Sequence, residues 1–185
     1  MSAERTRQRQ QVAVVTGANK GIGFEIAKGC VNAGFHVIVT ARDVARGQQA
    51  ARALGCDLVL LDLNDVRSIQ NAAAEVASRH GGIDVLINNA SMAYKHADQT
   101  PWVQKTRTSV MTNFFGTLAV CQAFLPLMRE GGRVVTVASM AGHLSILPDA
   151  RIRHEFASAD RTLTIERLSQ LMEQFVADVG ECTST

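Results

Sequence analysis

An eight-residue stretch near the start of the chain, TGANKGIG (Thr16 to Gly23), follows directly on the apolar run Val12–Val15. Its glycines at 17, 21 and 23 have the spacing G-x-x-x-G-x-G. Glycine permits a tight turn and lets a pyrophosphate approach the backbone. A helix opening near Gly21 would turn free N–H groups and its positive dipole end toward that anion. A glycine loop that follows a strand and opens a helix within a βαβ unit is the context that dinucleotide binding requires. The end of the second apolar run reads TARD, Thr40 to Asp43. Where an acidic side chain would bind a ribose 2′-hydroxyl, Thr40 and Ala41 carry no charge and Arg42 follows. With Lys20, Arg42 makes a cationic site for a 2′-phosphate, so NADP(H) is the expected cofactor; solvated surface charges are the competing reading. Asp43 is read as a helix cap. A third stretch, RVVTVASMAG (Arg133 to Gly142), carries a strand, Val134–Ala138, into Ser139. A hydroxyl at a strand tip is well placed for chemistry, and a turn-forming serine is the alternative.

The elements that must position these groups are legible as short apolar, β-branched runs: Val12–Val15, Phe35–Val39, Asp57–Leu61, Ile83–Ile87 and Arg133–Ala138. Continuous apolar strands of this kind suit a parallel sheet covered on both faces. Between them lie amphipathic stretches. Val66, Ile69, Ala73 and Val76 share one helical face, with Asn64 or Asp65 as candidate cap. Val110, Phe114, Leu118, Cys121 and Leu125 form a longer stripe that Pro126 bends or ends. This alternation predicts an α/β, doubly wound parallel sheet of five strands in the order 3-2-1-4-5, with helices on both faces. Beyond the fifth strand, Leu168, Leu171, Met172, Phe175, Val176 and Val179 form a helical stripe, started by Thr164 and stopped by Gly180. The expected organisation is a disordered basic tail over residues 1–10 and one nucleotide-binding domain over 11–185, with 140–185 as an extra helical segment.

Composition limits the alternatives. The 185 residues are 46% apolar and 19% charged, with a net charge of +2, which is ordinary for a globular domain and too mild to argue for nucleic acid. No apolar run approaches the ~20 residues that span a bilayer. The opening MSAERTRQRQQ lacks the apolar core of a secretory signal. Cys30, Cys56, Cys121 and Cys182 stand singly, as reduced thiols of a cytoplasmic protein do. The five histidines show no metal-ligand spacing, so no metal is expected and they are read as surface or packing residues.

TGANKGIG, TARDVARGQ, LDLNDV, the INNA of Ile87–Ala90, TNFFGT (Thr112–Thr117) and RVVTVAS together resemble the short-chain dehydrogenase/reductases, and within them the NADPH-dependent carbonyl reductase branch. The resemblance covers almost everything after the basic tail and implies a Rossmann-like fold. It implies that Gly17, Asn19, Lys20, Gly21, Ile22 and Gly23 surround the cofactor phosphates and that Arg42 holds the 2′-phosphate. Asp62 would hydrogen-bond the adenine, with Leu63 packed beside it, and Asn89 would line the cofactor cleft. A helix-capping or loop aspartate is the alternative for Asp62. Asn113 would hold a helix backbone open and bind a proton-relay water; an asparagine facing solvent is its alternative. Ser139 would hydrogen-bond a substrate carbonyl and stabilise the oxyanion as hydride arrives. The implied activity is reduction of ketones, aldehydes or quinones, in a branch similar to monomeric enzymes.

Two departures qualify the resemblance. The family's NNAG reads NNAS here, so Ser91 would be strained if that position needs a positive φ. The family's acid is a tyrosine followed four residues later by a lysine that lowers its pKa. Tyr94 is the one tyrosine, Asp98 stands four residues on, and no Tyr-x-x-x-Lys occurs in the 185 residues. The chain is therefore read as incomplete relative to the family, truncated before that segment and inactive alone. The alternative is a non-catalytic NADP(H)-binding module or shortened isoform. Arg133–Ala138 would then be an unpaired edge strand, prone to aggregate or to need a partner surface unless the Leu168–Val179 helix covers it.

Overall fold

The computed structural model describes residues 9–95 and 97–181. Residues 1–8 of the expected tail, and Cys182, lie outside the described residues. The chain divides into two compact units, one running up to Ser91 and resuming over Gly116–Thr136, the other built from Met92–Phe115 and the described residues from Val137 onward.

The first unit contains β1 (Val12–Val15), α1 (Gly21–Asn32), β2 (His36–Ala41), α2 (Val44–Leu54), β3 (Asp57–Leu60), α3 (Val66–His80) and β4 (Ile83–Asn88). It resumes after the second unit's α4 (Trp102–Val110) with α5 (Thr117–Phe124) and β5 (Met128–Thr136). All strand pairs are parallel, in the order β3-β2-β1-β4-β5. That is the expected doubly wound order. The two-residue period of the strands gives the sheet two apolar faces, each covered by helices. Val12, Val14, Ile38, Val59 and Leu86 face α3 and α5, packing on Ile69, Ala72, Val76, Val120 and Phe124. Val15, Val37, Val39 and Ile87 face the other way, onto Ala27 of α1 and Ala51 of α2. Each fully buried Val, Ile or Phe contributes about 1.5–3 kcal/mol.

The caps explain where helices begin. Asp43 accepts from the Arg46 amide at 2.8 Å to start α2. Asp65, rather than Asn64, accepts from the Arg67 amide at 2.9 Å to start α3. Gly55 and Gly81, both left-handed, end those helices.

Several expectations need correction. Val66 is 59% exposed, because the first turn of α3 precedes the face that meets the sheet; Ala72 takes its place. The long stripe drawn through Val110, Phe114, Leu118, Cys121 and Leu125 holds at buried Val110 and at Cys121, which packs on the core, but misses the buried face at its other positions. A π-turn, Met111–Gly116, widens the helix there, and after it the buried positions are Gly116, Val120 and Phe124. Leu125 is exposed. β5 begins at Met128 rather than Arg133, through an irregular register against Ile83–Val85, and it ends at Thr136. A helical stretch, Trp102–Leu127, is long and apolar enough to cross a membrane by length and composition alone, with a mean hydropathy of 1.4. Counting unbroken apolar runs overlooked it, since it carries Thr, Gln and Asn. Val120 and Phe124 within it are core residues of the first unit.

In the second unit, α4 packs with α8 (Ile165–Glu181), and short helices α6 (Ala150–Ala157) and α7 (Ala159–Thr162) lie between in sequence. Thr164 caps α8, its hydroxyl accepting from the Arg167 amide at 3.1 Å. Gly180 does not stop α8, which continues through it to Glu181. Along the expected stripe Leu168, Leu171, Met172, Val176 and Val179 are half-buried, while Phe175 is exposed. β5 is an edge of the sheet, with Val134 and Val135 exposed on it.

At the amino-terminal ends of the strands, buried Asp84 binds Arg9 through both carboxylate oxygens, at 2.6 and 3.0 Å. It also accepts from the Val12 amide at 2.7 Å and from Arg129 at 3.0 Å. Gln10 donates to the Gly34 carbonyl, so Arg9 and Gln10, counted with the tail on sequence grounds, are held to the first unit. Arg9 above all, then the Val12 amide and Arg129, hold the Asp84 carboxyl down from 3.8 to about 2 against burial, which pushes it up. A depressed carboxyl stabilises the fold fully above its unfolded pKa, and that contribution is lost as pH falls through the folded one. Asp84→Asn is expected to cost about 1–3 kcal/mol at neutral pH. Relative to the variant, the wild type should lose that advantage between pH 3.8 and about 2. Urea unfolding across that range checks both.

Candidate functional site

The carboxyl end of β1 is tied to the carboxyl end of β4 by one buried hydroxyl. Thr16 Oγ1 accepts from the backbone amides of Asn89 and Ala90, both at 2.9 Å, and donates to the Ile87 carbonyl at 3.3 Å. The Asn89 side-chain amide closes the tie, donating to the carbonyls of Thr16 at 2.9 Å and Gly17 at 3.3 Å. The Ala18 amide donates to the Thr40 carbonyl at 3.0 Å, fixing the loop to β2 as well. Asn89 is thus a strut of the glycine loop.

The glycines are needed for distinct reasons. Gly17 and Gly21 have φ of 64° and 57°, in the left-handed region that side chains avoid. A Cβ on Gly17 would lie 2.9 Å from Ala90 Cα. Gly23 is a packing glycine: a Cβ there would run into the Asn89 amide and come within 2.6 Å of the Gly17 carbonyl oxygen. The loop can therefore fold back onto β4 and release the chain into α1.

The start of α1 differs from its neighbours. Lys20 is the N-cap residue and provides no side-chain cap, and the first turn holds no acidic group. The N–H groups there keep their attraction for an anion. Asn19 is half-buried, and Lys20, Gly21 and Ile22 are exposed on the lip. Arg42, beyond β2, is exposed, and neither it nor Lys20 makes an ion pair among the described residues. Asp43 is occupied as the α2 cap and is not offered to a ribose hydroxyl. Asp62 and Leu63 are half-buried after β3. The Asp62 amide donates to Ser68 Oγ at 3.0 Å, and its carboxylate accepts from the Asn64 amide at 2.9 Å. So Gly17 to Gly23, Arg42, Asp62, Leu63 and Asn89 all belong to the first unit, around the carboxyl ends of its strands.

Asn113 and Ser139 belong to the second unit. Asn113 sits in the π-turn, and its side chain bonds Met92 twice. It accepts from the Met92 amide at 2.8 Å and donates to the Met92 carbonyl at 2.9 Å. Ser139 lies three residues past the end of β5, and its Oγ accepts from the Ala141 amide at 3.1 Å, capping a short 3-10 turn. A hydroxyl that accepts in this way keeps its own proton to donate. Tyr94 has Lys105 Nζ over its ring, 5.7 Å from the centroid. That ammonium donates to the Asp98 carbonyl at 2.6 Å. Ser91 is unstrained, since no described residue other than glycine has a positive φ.

Two positioning residues were missed by sequence reasoning. Thr16 was quoted in the motif without a role, although a threonine just where the strand gives way to the loop is the available signal. Gly116 was quoted in TNFFGT, and a Cβ there would come within 2.6 Å of the Leu63 carbonyl oxygen. That close approach holds the turn after β3 against the start of α5.

The model of the short chain dehydrogenase family matches residues 11–148. Carbonyl reductase (NADPH) 1 of Bos taurus is 42% identical over 174 residues, 90% of this chain and 62% of its own length. The structure of menthone neomenthol reductase from Mentha piperita superposes with a TM-score of 0.83 at 26% identity, covering 94% of this chain and 75% of that one. L-sorbose reductase from Gluconobacter frateurii, solved with NADPH and L-sorbose, gives 0.65 at 26% identity over 80% and 60% of the two chains. Together with the glycine cradle, these relatives make the first unit an NAD(P)-type dinucleotide fold. The chain spans about 62% of the length of the curated relatives it matches.

Gly23→Ala should destabilise the fold by about 1–3 kcal/mol and weaken dinucleotide binding about tenfold or more, because the Asn89 strut must move. Thermal melting and a nucleotide fluorescence titration check this. Gly29→Ala, with open space around its added Cβ, is the matched control.

Proposed function

Because the chain belongs to the short-chain dehydrogenase family, we propose that its first unit binds NADPH and serves a carbonyl reductase that reduces ketones, aldehydes or quinones. The observation that carries this reading is the uncapped start of α1 behind a glycine cradle, with exposed Lys20 at its lip and exposed Arg42 just past β2, neither ion-paired among the described residues. The residues present fit the cofactor. Gly17, Asn19, Gly21, Ile22 and Gly23 would hold its phosphates against backbone N–H groups, and Lys20 and Arg42 would neutralise the 2′-phosphate. Asp62 would accept from the adenine amino group, Leu63 would cover the ring, and Asn89 would keep the loop in place. When bound, NADPH supplies the hydride for carbonyl reduction.

The chain's own residues would prepare the other partner. The Ser139 hydroxyl would donate to the substrate carbonyl, stabilising the negative charge that develops on oxygen. Asn113, by holding Met92 at the open turn, would keep the helix backbone available to a proton-relay water. The proton donor is the part for which these 185 residues offer no Tyr-x-x-x-Lys pair. Lys105 sits over the Tyr94 ring, and its ammonium donates to the Asp98 carbonyl. That observation favours a second reading, in which the chain binds NADP(H) and acts through binding. Loss of a positioned acid costs about 10²–10⁴ in rate. Under either reading we expect a cytoplasmic protein without a nucleic-acid or membrane partner.

Two measurements test this. NADPH should bind the purified chain more tightly than NADH, and Arg42→Ala combined with Lys20→Ala should cut that preference about tenfold or more, as expected for charge-assisted phosphate contacts. Equal affinity for the two nucleotides would contradict the assignment. NADPH oxidation with menadione then separates the readings: ordinary enzymatic turnover supports the reductase acting alone, and binding with turnover at the limit of detection supports the binding module.

A further inference from the structure

At the end of the sheet opposite the glycine loop, three elements bring two imidazoles and a carboxylate together. His36 is the first residue of β2, Asp57 the first of β3 and His80 the last of α3. The strand register makes this meeting obligatory. Ile38 is the partner of Asp57, and His36, two residues earlier, shares the face of Ile38. Ile38 and Val59 pack against α3, so His36 and Asp57 emerge at the end of that same face. Gly81, with φ of 66°, stops α3 at the turn that delivers His80.

The Asp57 carboxylate is shared. Its Oδ2 lies 2.8 Å from His36 Nε2 and 3.5 Å from His80 Nε2. Its Oδ1 is held by Arg79 at 2.9 Å, and Arg79 is itself paired with Glu75 at 2.7 Å. The His80 side chain is only 10% exposed, and its Nε2 has no hydrogen-bond partner. A buried ring nitrogen left without a bond, pointing at a carboxylate that already serves a second imidazole, is costly unless something further binds there.

We propose that His36, His80 and Asp57 form a binding site for a borderline transition-metal dication, zinc first among them. The three ligand atoms lie within 4.8 Å of one another. Ligands around tetrahedral zinc, at bonds of about 2.0–2.1 Å, stand ~3.4 Å apart, so small side-chain rotations suffice. Two imidazoles with one carboxylate suit zinc, copper or nickel and not calcium or magnesium. The surrounding charges permit a cation. Asp57, Glu75 and Asp84 balance Arg79, Arg129 and Arg9, the Arg129 guanidinium donates to the His80 carbonyl, and the carboxyl end of α3 adds its negative dipole. His36 and Asp57 are 36% and 31% exposed, so a metal can enter from solvent and water can complete the coordination. The site is independent of nucleotide binding. Its consequence is a staple joining β2, β3 and α3.

The test uses the untagged, chelator-treated full chain, titrated with zinc against a chromophoric chelator. One equivalent of zinc should bind and raise the melting temperature. His36→Gln and His80→Gln should each weaken binding at least about tenfold, a tenfold loss being 1.4 kcal/mol. Cys56→Ser and His143→Gln should leave it unchanged. Unaltered circular dichroism and dinucleotide binding show that the variants fold. In the wild type, zinc should shift the ring nitrogen resonances of two histidines, a readout that does not depend on any variant. Failure of the wild type to bind zinc, or binding that survives both histidine substitutions, would overturn the proposal.

Discussion

The first unit depends on a single buried tie between β1 and β4. A strand that ends in a loop leaves polar backbone groups to be satisfied, and an unpaired buried group costs about 1–3 kcal/mol. Here the Thr16 hydroxyl accepts two backbone amides, and the Asn89 amide donates to two carbonyls. The exchange satisfies both strand ends at once. It also fixes how far the glycine loop stands from the sheet, and that distance decides where α1 begins.

The neighbouring features follow from that geometry. Gly17 must accept a positive φ because the loop turns back over Ala90, and Gly23 must lack a side chain because Asn89 occupies the space. α1 then starts without a capping side chain, while α2 and α3 are capped by Asp43 and Asp65. The helix whose amino end needs an outside anion is the one that the tie positions. Polar order of a different kind governs the opposite end of the strands. Asp84 gathers Arg9, Arg129 and the Val12 amide, and Asp57 gathers Arg79 and two histidines. The sheet therefore separates an electropositive nucleotide lip from a network centred on carboxylates.

Much of this was readable in the residues. Unbroken runs such as Val12–Val15 marked buried parallel strands, and the alternation with amphipathic stretches led to the strand order now seen. Asp43 as a cap and the glycine loop as a strand-to-helix turn were likewise legible, because each is a local matter of backbone conformation. What escaped was non-local or depended on helix phase. The π-turn at Met111–Gly116 shifts the buried face, so a regular period drawn through Phe114 and Leu118 could not find Val120 and Phe124. β5 starts at Met128 because its pairing to β4 tolerates an irregularity between Met128 and Arg133, where the apolar run alone marked a start at Arg133. Histidines at 36 and 80 have no motif between them, and only the register of β2 on β3 and the length of α3 bring them together. Ser139 and Asn113 were legible only as candidates, and their side-chain bonds to Ala141 and Met92 depend on turns that spacing does not reveal.

The account turns on the Asn89 strut holding the glycine loop in a nucleotide-ready form. Its most direct measurement is the dissociation constant of NADPH for Asn89→Ala, with the fold verified by circular dichroism. Removing the amide leaves the Thr16 and Gly17 carbonyls without this donor, and the predicted result is affinity weakened about tenfold or more in a folded variant. NADPH binding unchanged in a folded Asn89→Ala chain would contradict the account.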